Sequence, residues 1–279
     1  MTARPLGVNT YGYIWSTPMA DCLRGLHAKG YDDFEVVVNP PHLALAIDDR
    51  PRMRELGSAL RSEGIVISSL NLPSLDTNLA SSMQGMRAYS VPVSKDAIDL
   101  AADLGIARLV TVPGRMSPLL PPPVRQRETW MRESLDALIP HAESRGVGLA
   151  LENVPFASFP DAASLCGFVR RVGSKVLSVC YDAANAHFIG ESPAAGLREL
   201  GPLVSIVHLS DTTRAAWRHD EIGKVDVSFA EVALALDEIR YEGSVMLEII
   251  EPQPEGAILR SHRLLATMGF VDCPAGVAA

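Results

Sequence analysis

Four side chains that can bind a metal ion follow four consecutive apolar runs in the second half of the chain. Each run would carry its polar side chain into a buried ring, where an unpaired carboxylate costs several kcal/mol or takes up a proton. Three carboxylates in one place would repel one another strongly, and a bound divalent cation would remove that repulsion. Three oxygen ligands and one imidazole suit Mn²⁺, Mg²⁺, Co²⁺ or Zn²⁺, and the sequence does not choose among them. The four residues are Glu152 in GLALENVP, Asp182 in SVCYDAANAHFIG, His208 in SIVHLSDT and Glu248 in VMLEII.

The four runs belong to a longer alternation of short β-branched segments with amphipathic segments. Strands that are apolar throughout are typical of a parallel sheet buried on both faces, and alternation with helices is typical of α/β folds. Eight strand–helix units in 279 residues favour a closed (β/α)₈ TIM barrel, which usually needs about 250 residues, over an open doubly wound sheet. No GxGxxG turn follows the first run, which counts against a dinucleotide-binding fold. The predicted strands span residues 6–10, 34–38, 65–70, 108–112, 147–151, 176–181, 204–208 and 245–249.

The helices between these strands are predicted from their apolar spacing and from the glycines that follow several of them. They span residues 18–29, 50–63, 90–104, 124–144, 161–172, 193–200, 229–239 and 256–268. A proline-rich segment, PLLPPP at 118–123, is too short for a domain linker, so we place it in a loop over the barrel mouth. We therefore expect a single domain over residues 1–270, followed by a tail at 271–279. Functional side chains of such a barrel lie at the C-terminal ends of the strands.

The composition excludes several classes of protein. The net charge of −8 argues against binding to a nucleic-acid backbone, which requires a basic surface. The four cysteines are far apart and form no CxxC pair, so neither a disulfide framework nor a zinc–cysteine site is indicated. No apolar stretch has the length of a signal peptide core or of a membrane span. We therefore expect a cytoplasmic protein that binds neither nucleic acid nor a membrane.

Several motifs together resemble the sugar isomerase/epimerase superfamily of metal-dependent barrels. This superfamily includes xylose isomerase-like proteins, ketose 3-epimerases and the endonuclease IV type of repair enzyme. The resemblance runs from the first strand to the eighth, and it implies a xylose isomerase-like TIM barrel. The motifs are GYDDFEV around Glu35, NLAS from Asn78, LENVP, the segment 182–190, HLSD and HDEIG at 219–223.

The departures from the repair enzymes are informative, because those enzymes bind three zinc ions with additional histidines. At positions where their pattern has a zinc ligand, this chain has Asn71, Val112, Asn185 and Trp217. His219 remains, but the ligands that would accompany it are lost. A trinuclear site is therefore not expected, and the single-metal isomerases and epimerases are the closer analogy.

The resemblance implies a divalent-metal-dependent isomerase or epimerase of a small sugar or keto-polyol. A proton beside a carbonyl would be removed, and the bound metal would stabilise the enediolate. Two metal-bound glutamates act as the acid and the base in the ketose epimerases, and they match Glu152 and Glu248. A lyase or dehydratase of a keto-sugar, keto-inositol or keto-acid would share the first step and remains the alternative. Nucleic-acid repair and a non-catalytic binding subunit are disfavoured by the lost ligands and by the intact four-residue site, respectively.

Seven residues are candidates for binding this carbohydrate-like substrate. The resemblance places Arg214 where epimerases carry a substrate-binding arginine, and Asn185 where the family usually has histidine. Each candidate also has a plain structural interpretation, such as loop packing for the aromatic residues or solvent exposure for the arginines. Glu35 is expected to hydrogen-bond the substrate or to organise the site. Relatives are often dimers or tetramers, so a homo-oligomer is also expected. The seven candidates are Asn185, Arg214, His187, His219, Tyr11, Trp15 and Arg115.

Overall fold

Eight parallel strands close into a barrel in the computed structural model, which describes residues 4–45 and 49–271. Each strand pairs with the next along the chain, and β8 pairs with β1, where Leu6 lies opposite Val245. This order confirms the predicted (β/α)₈ TIM barrel. The strands are β1 (Leu6–Asn9), β2 (Asp33–Val37), β3 (Val66–Leu72), β4 (Arg108–Thr111), β5 (Gly148–Glu152), β6 (Leu177–Asp182), β7 (Val204–Leu209) and β8 (Ser244–Leu247).

The helices of the described residues lie between and after these strands. They are α1 (Met19–His27), α2 (Arg50–Ser62), α3 (Gln84–Leu104), α4 (Val124–Arg145), α5 (Ala162–Val172), α6 (Ala183–Phe188), α7 (Pro193–Leu200), α8 (Phe229–Glu238) and α9 (Glu255–Ala266). Helix α3 begins at Gln84 rather than at residue 90, and it accommodates Pro92 in its interior. Helix α6 was not predicted. It follows directly on Asp182, whose side chain caps the helix by accepting a hydrogen bond from the Asn185 backbone N–H.

The two ends of the described chain meet beside the barrel. The Val271 backbone N–H donates to the Arg4 carbonyl oxygen at 2.9 Å. Residues 272–279 of the predicted tail lie outside the described residues, and the single domain over residues 1–270 stays a prediction. Within the described part of the chain, no helix is both long and apolar enough to cross a bilayer.

The inside of the barrel is stratified, because alternate residues of each strand point inward. At the N-terminal end of the strands, the Asp33 carboxylate accepts hydrogen bonds from the hydroxyls of Ser68 and Ser244. Above it lies a fully buried apolar layer, which we call the interior plug. The polar residues of the upper layer stand two positions further along β5 to β8. The interior plug consists of Val110, Ala150, Cys180, Ile206 and Met246.

A second and larger core separates the outside of the barrel from the helices. The outward residues of the strands, such as Leu149, Val207 and Val245, are buried against the helices. Removal of apolar surface from water contributes about 25 cal/mol per Å², so this core is the main source of stability. Cys22, Cys166 and Cys180 are buried and form no disulfide bond with one another, and burial was expected for Cys180; Cys273 lies outside the described residues.

The interior plug requires glycine at position 7. A Cβ atom on Gly7 would lie 2.5 Å from the Met246 sulfur and 2.7 Å from the Asp33 carbonyl oxygen. We expect Gly7→Ala to lower the free energy of unfolding by about 1–3 kcal/mol through overpacking. Thermal unfolding would detect this as a lower Tm. Gly25→Ala is the matched control, because nothing lies within 4 Å of its Cβ position in α1, and it should stabilise the helix by about 0.5–1 kcal/mol. An unchanged Tm for Gly7→Ala would contradict this account.

Candidate metal centre

The four metal-competent side chains predicted from the sequence meet at the C-terminal ends of β5 to β8. Glu152, Asp182, His208 and Glu248 are all buried, and their exposed fractions are between 0 and 6%. One ligand atom from each lies within 4.8 Å of the others. The His208 Nδ1 atom is 3.4 Å from Glu152 Oε1, 3.8 Å from Asp182 Oδ2 and 3.3 Å from Glu248 Oε2. The barrel therefore brings the predicted ligand set together.

Glu35 fixes the orientation of the His208 ring. The His208 Nε2 atom lies 2.8 Å from Glu35 Oε1, and both side chains are fully buried. Three further donors hold the Glu35 carboxylate: Asn9 Nδ2 at 2.7 Å, Ser69 Oγ at 2.6 Å and Asn71 Nδ2 at 2.9 Å. Because Nε2–H donates to Glu35, Nδ1 is the nitrogen that faces the other carboxylates. Glu35 thus organises the site, which was one of its two expected roles, and Asn71 serves this network.

The buried ligand atoms show that the site fits a cation. Among the described residues, Asp182 Oδ2, His208 Nδ1 and Glu248 Oε2 are buried without a hydrogen-bond partner. Two donors that each bind one ion at about 2.1 Å lie between about 3.0 and 4.2 Å apart, depending on the angle between them. The three distances from His208 Nδ1 fall within that interval, so these residues could hold a divalent metal ion.

The electrostatics show how strongly the carboxylates interact. Burial raises the pKa of Asp182 to about 8, and the negative charges of Glu248 and Glu152 add to this effect. Burial also raises the pKa of Glu152, reinforced by Glu248 and Glu35. Burial acts in the same direction on Glu248, but His208 and His219 outweigh it and lower the pKa of that carboxyl. The cluster therefore needs positive charge close by in order to be fully ionised.

His219 lies against the same cluster. Its Nδ1 atom is 3.2 Å from Glu248 Oε2, 3.7 Å from Asp182 Oδ2 and 3.0 Å from the Ser210 hydroxyl oxygen. Burial lowers the pKa of the ring, but Glu248 and Asp182 outweigh burial and raise it to about 9. The sequence suggested a substrate contact or a supporting role for this histidine. The structure places it in contact with two predicted ligands.

Asn185 connects the cluster to an aromatic group at the cavity wall. Its Nδ2 atom donates to Glu152 Oε1 at 3.5 Å, and its Oδ1 atom accepts from the Trp217 indole N–H at 2.7 Å. Trp217 in turn packs against Phe156 and Phe188, with ring centroids 6.2 and 6.4 Å away. In the sequence, Trp217 is notable only because it stands where the repair enzymes have a zinc ligand. The hydrogen bond joins Asn185 of α6 to a loop residue that is distant in sequence, and no local pattern shows it.

The segment that carries Trp217 and His219 is tied down at both ends by one buried carboxylate. Asp211, two residues after the end of β7, accepts hydrogen bonds from the backbone N–H groups of Gly223, Val225 and Val227 at 2.9–3.2 Å. Its backbone also forms a two-way bridge with Asp220. Asp211 therefore holds the loop over the cluster while the loop itself contains neither helix nor strand.

A cavity of about 570 Å³ opens above the cluster. Of the substrate-binding candidates, Tyr11, Arg115, Asn185 and His219 line it. His187, Trp15 and Arg214 are not among the lining residues; Trp15 is 73% exposed, and Arg214 is exposed on the loop after β7. Arg218, which was not among the seven candidates, lines the cavity. The other lining residues are Asn71, Pro73, Ser74, Leu75, Val112, Glu152, Val154, Trp217, Asp220, Glu248 and Ile250.

Comparisons with known proteins agree with this architecture. A family model described as xylose isomerase-like TIM barrel matches residues 23–268. The chain is 28% identical over 226 residues to the uncharacterized protein MJ1311 of Methanocaldococcus jannaschii, and the aligned region covers 78% of this chain and 74% of that protein. It is 24% identical over 243 residues to D-psicose 3-epimerase of Agrobacterium fabrum, covering 84% and 80% of the two chains. A solved D-tagatose 3-epimerase-like protein superposes with a TM-score of 0.81 at 23% identity over 94% of this chain and 96% of the other.

Metal binding should stabilise the protein and should strengthen as the pH rises. At 100 times the Kd, a ligand adds about 2.7 kcal/mol to the free energy of unfolding, which corresponds to a Tm increase of about 5 to 10 °C. The raised pKa values of Asp182, about 8, and of His208 mean that protons compete with the cation at pH values below about 8. The Kd for Mn²⁺ should therefore fall between pH 6 and pH 8, about tenfold per pH unit for each displaced proton. Thermal unfolding with and without Mn²⁺ would measure the increase in Tm, and calorimetric titration at several pH values would measure the Kd. A Kd that is independent of pH would contradict the assignment of these ligands.

The hydrogen bond from His208 to Glu35 should be required for tight metal binding. Glu35→Gln replaces a charged acceptor by an amide that three neighbouring donors also approach, so the ring loses its fixed orientation. We expect metal affinity to fall by about 10- to 100-fold, as is usual for groups that orient a metal ligand. Glu55→Gln on the exposed face of α2 is the matched control and should leave the Kd unchanged. Equal affinities for the two variants would remove this role from Glu35.

Proposed function

Because the chain belongs to the xylose isomerase-like TIM barrel family, we propose that it is an enzyme that isomerises or epimerises a small sugar or keto-polyol. The reaction would transfer a proton at a carbon beside a carbonyl group. The observation that carries this proposal is the set of four buried ligand atoms within 4.8 Å of one another, beside a cavity that Glu152 and Glu248 both line. A site of this kind can bind the substrate oxygens and act on the adjacent C–H bond.

A bound divalent cation would supply the Lewis acidity that stabilises negative charge on the carbonyl oxygen. The chain itself supplies two carboxyl groups whose pKa values are shifted in opposite directions. The pKa of Glu248 is lowered, because His208 and His219 outweigh burial, so Glu248 is ionised and able to accept a proton. The pKa of Glu152 is raised, first by burial, so Glu152 suits the role of the group that returns a proton. Pairs of carboxyl groups whose surroundings separate their pKa values are typical of acid–base catalysis.

Tyr11 and Arg115 are two of the polar residues that line the cavity. Burial raises the pKa of Tyr11, and the charges of Glu248 and Glu152 raise it further, so the phenol stays neutral and can donate a hydrogen bond. The Arg115 guanidinium donates to the Ser74 carbonyl oxygen at 3.0 Å, which anchors it at the cavity wall. We propose that both groups bind substrate oxygens. Asn185 would position Glu152, with which it shares a hydrogen bond.

The comparisons support the choice of isomerase or epimerase over lyase. The named relative of Agrobacterium fabrum is an epimerase, and the solved structure is called epimerase-like. The lyase or dehydratase alternative is not favoured by these findings, although it would use the same first step. Manganese, magnesium, cobalt or zinc remains our prediction for the metal, and a cytoplasmic location and a homo-oligomer also stay predictions.

The two glutamates should be separately essential. We expect Glu152→Gln and Glu248→Gln each to lower kcat by at least about 10²-fold, the usual contribution of a positioned acid or base. The substrates would be a panel of ketoses and keto-polyols supplied with Mn²⁺ and followed by mass spectrometry and chromatography in heavy water. Wild-type turnover should give a product of unchanged composition that carries solvent deuterium at the reacting carbon.

Glu231→Gln is the matched control, because Glu231 is exposed on α8, away from the cavity. It should retain full activity. Product that has lost water or a fragment would move the assignment to the lyase alternative. Retained turnover in both site variants would remove the proposed acid–base roles.

A further inference from the structure

We infer that Trp217 is a positioning residue for Glu152 and that it acts through the side chain of Asn185. The inference rests on the proposed function for the roles that Glu152 is given there. Trp217 lies on the loop after β7 and lines the cavity, so one side chain joins the cavity wall to the cluster. The inference follows from the direction of two hydrogen bonds, from the attachment of Asn185 and from the contacts that hold the indole ring.

The indole N–H of Trp217 selects one of the two orientations of the Asn185 amide. An indole nitrogen is only a donor, whereas an amide has donors at one end and an acceptor at the other. Because Trp217 Nε1 lies 2.7 Å from Asn185 Oδ1, the amide oxygen is turned towards the indole. The amide nitrogen therefore faces Glu152 Oε1, 3.5 Å away. The opposite orientation would place two donors against each other and the amide oxygen against a carboxylate oxygen.

The backbone of Asn185 is already fixed, so the amide is the part that remains to be oriented. The Asn185 backbone N–H donates to Asp182 Oδ1 at 2.6 Å at the start of α6, and the residue is 1% exposed. Asn185 thus contacts two of the predicted metal ligands, Asp182 through its backbone and Glu152 through its side chain. No other side chain of the described residues hydrogen-bonds to the Glu152 carboxylate.

The Trp217 ring is held in place from two sides. Phe188, the last residue of α6, lies nearly parallel to it with a centroid distance of 6.4 Å. The buried Thr212 hydroxyl fixes the backbone on both sides of Trp217. It donates to the Ala216 carbonyl oxygen and accepts from the Arg218 backbone N–H, both at 3.0 Å. The indole N–H therefore meets α6 at a defined position, although the loop contains neither helix nor strand.

The experiment measures whether Trp217 and Asn185 act as one unit. Trp217→Phe keeps an aromatic ring but removes the N–H, and Asn185→Ala removes the amide but keeps the backbone N–H. We expect each variant to weaken the Kd for Mn²⁺ on the order of 10-fold, as is usual for groups that orient a metal ligand. Residues of one hydrogen-bonded chain are not additive, so Trp217→Phe should weaken the Kd by less than about 2-fold when Asn185→Ala is already present. Calorimetry measures all four proteins, and kcat on the substrate panel should follow the same pattern.

A spectroscopic signal tests the hydrogen bond without metal or substrate. The chain has three tryptophans, so protein labelled with isotopic nitrogen gives at most three indole N–H signals in an NMR spectrum. The Trp217 signal is the one that Trp217→Phe removes. It should shift in Asn185→Ala, while the signals of Trp15 and Trp130 stay in place. An unmoved Trp217 signal would show that its N–H does not bind Asn185 and would overturn the inference.

Trp130→Phe is the matched control, because Trp130 lies on α4 beneath the Arg87 guanidinium and is not among the residues that line the cavity. It should leave the Kd unchanged. An equal loss of affinity from Trp217→Phe with and without Asn185→Ala would show that the indole is only a wall, which overturns the inference. Coupled Kd values in a protein that converts no sugar of the panel would remove the proposed function and leave the inference standing. A wild type that binds no divalent metal ion would overturn both.

Discussion

The barrel brings three carboxylates together away from water, and their mutual repulsion is the main constraint on the site. Glu152, Asp182 and Glu248 meet around His208 with little or no exposure to solvent. Burial and neighbouring negative charges raise the pKa of Asp182 and Glu152. Protons therefore bind to these carboxylates more readily and partly relieve the repulsion. Positive charge in the form of a divalent ion would relieve it more completely, because one cation can contact every carboxylate at once.

The same strands that form the apolar interior also present the charged cluster. Ala150, Cys180, Ile206 and Met246 of the interior plug stand two residues before the four side chains at the strand ends. Because residues two apart point to the same side of a strand, a dry layer necessarily lies beneath the cluster. This layer keeps the local dielectric low, so contacts such as that between His208 and Glu35 are strengthened.

The sequence predicted the eight strands and the four side chains at their ends, because both follow from local patterns. A run of apolar residues that ends in Glu152 or Glu248 carries its own position in the barrel. The hydrogen bond from Trp217 to Asn185 could not be predicted, because it joins a loop residue to a residue of α6 that is 32 positions away in the sequence. The contact of His219 with the cluster depends on the path of an irregular loop. Arg214 occupies the position of the substrate-binding arginine of the epimerases that the chain resembles, but its side chain is exposed and is not among the residues that line the cavity.

The single carboxylate of Asp211 has a consequence for how such a protein can change over evolutionary time. It receives three backbone N–H groups from the far end of the loop that bears Trp217, Arg218 and His219. Backbone groups are the same for every residue type except proline. The intervening side chains are therefore free to vary while the loop's attachment persists. Substitutions in this loop can therefore change which substrates the cavity accepts, while the barrel that carries the loop stays the same.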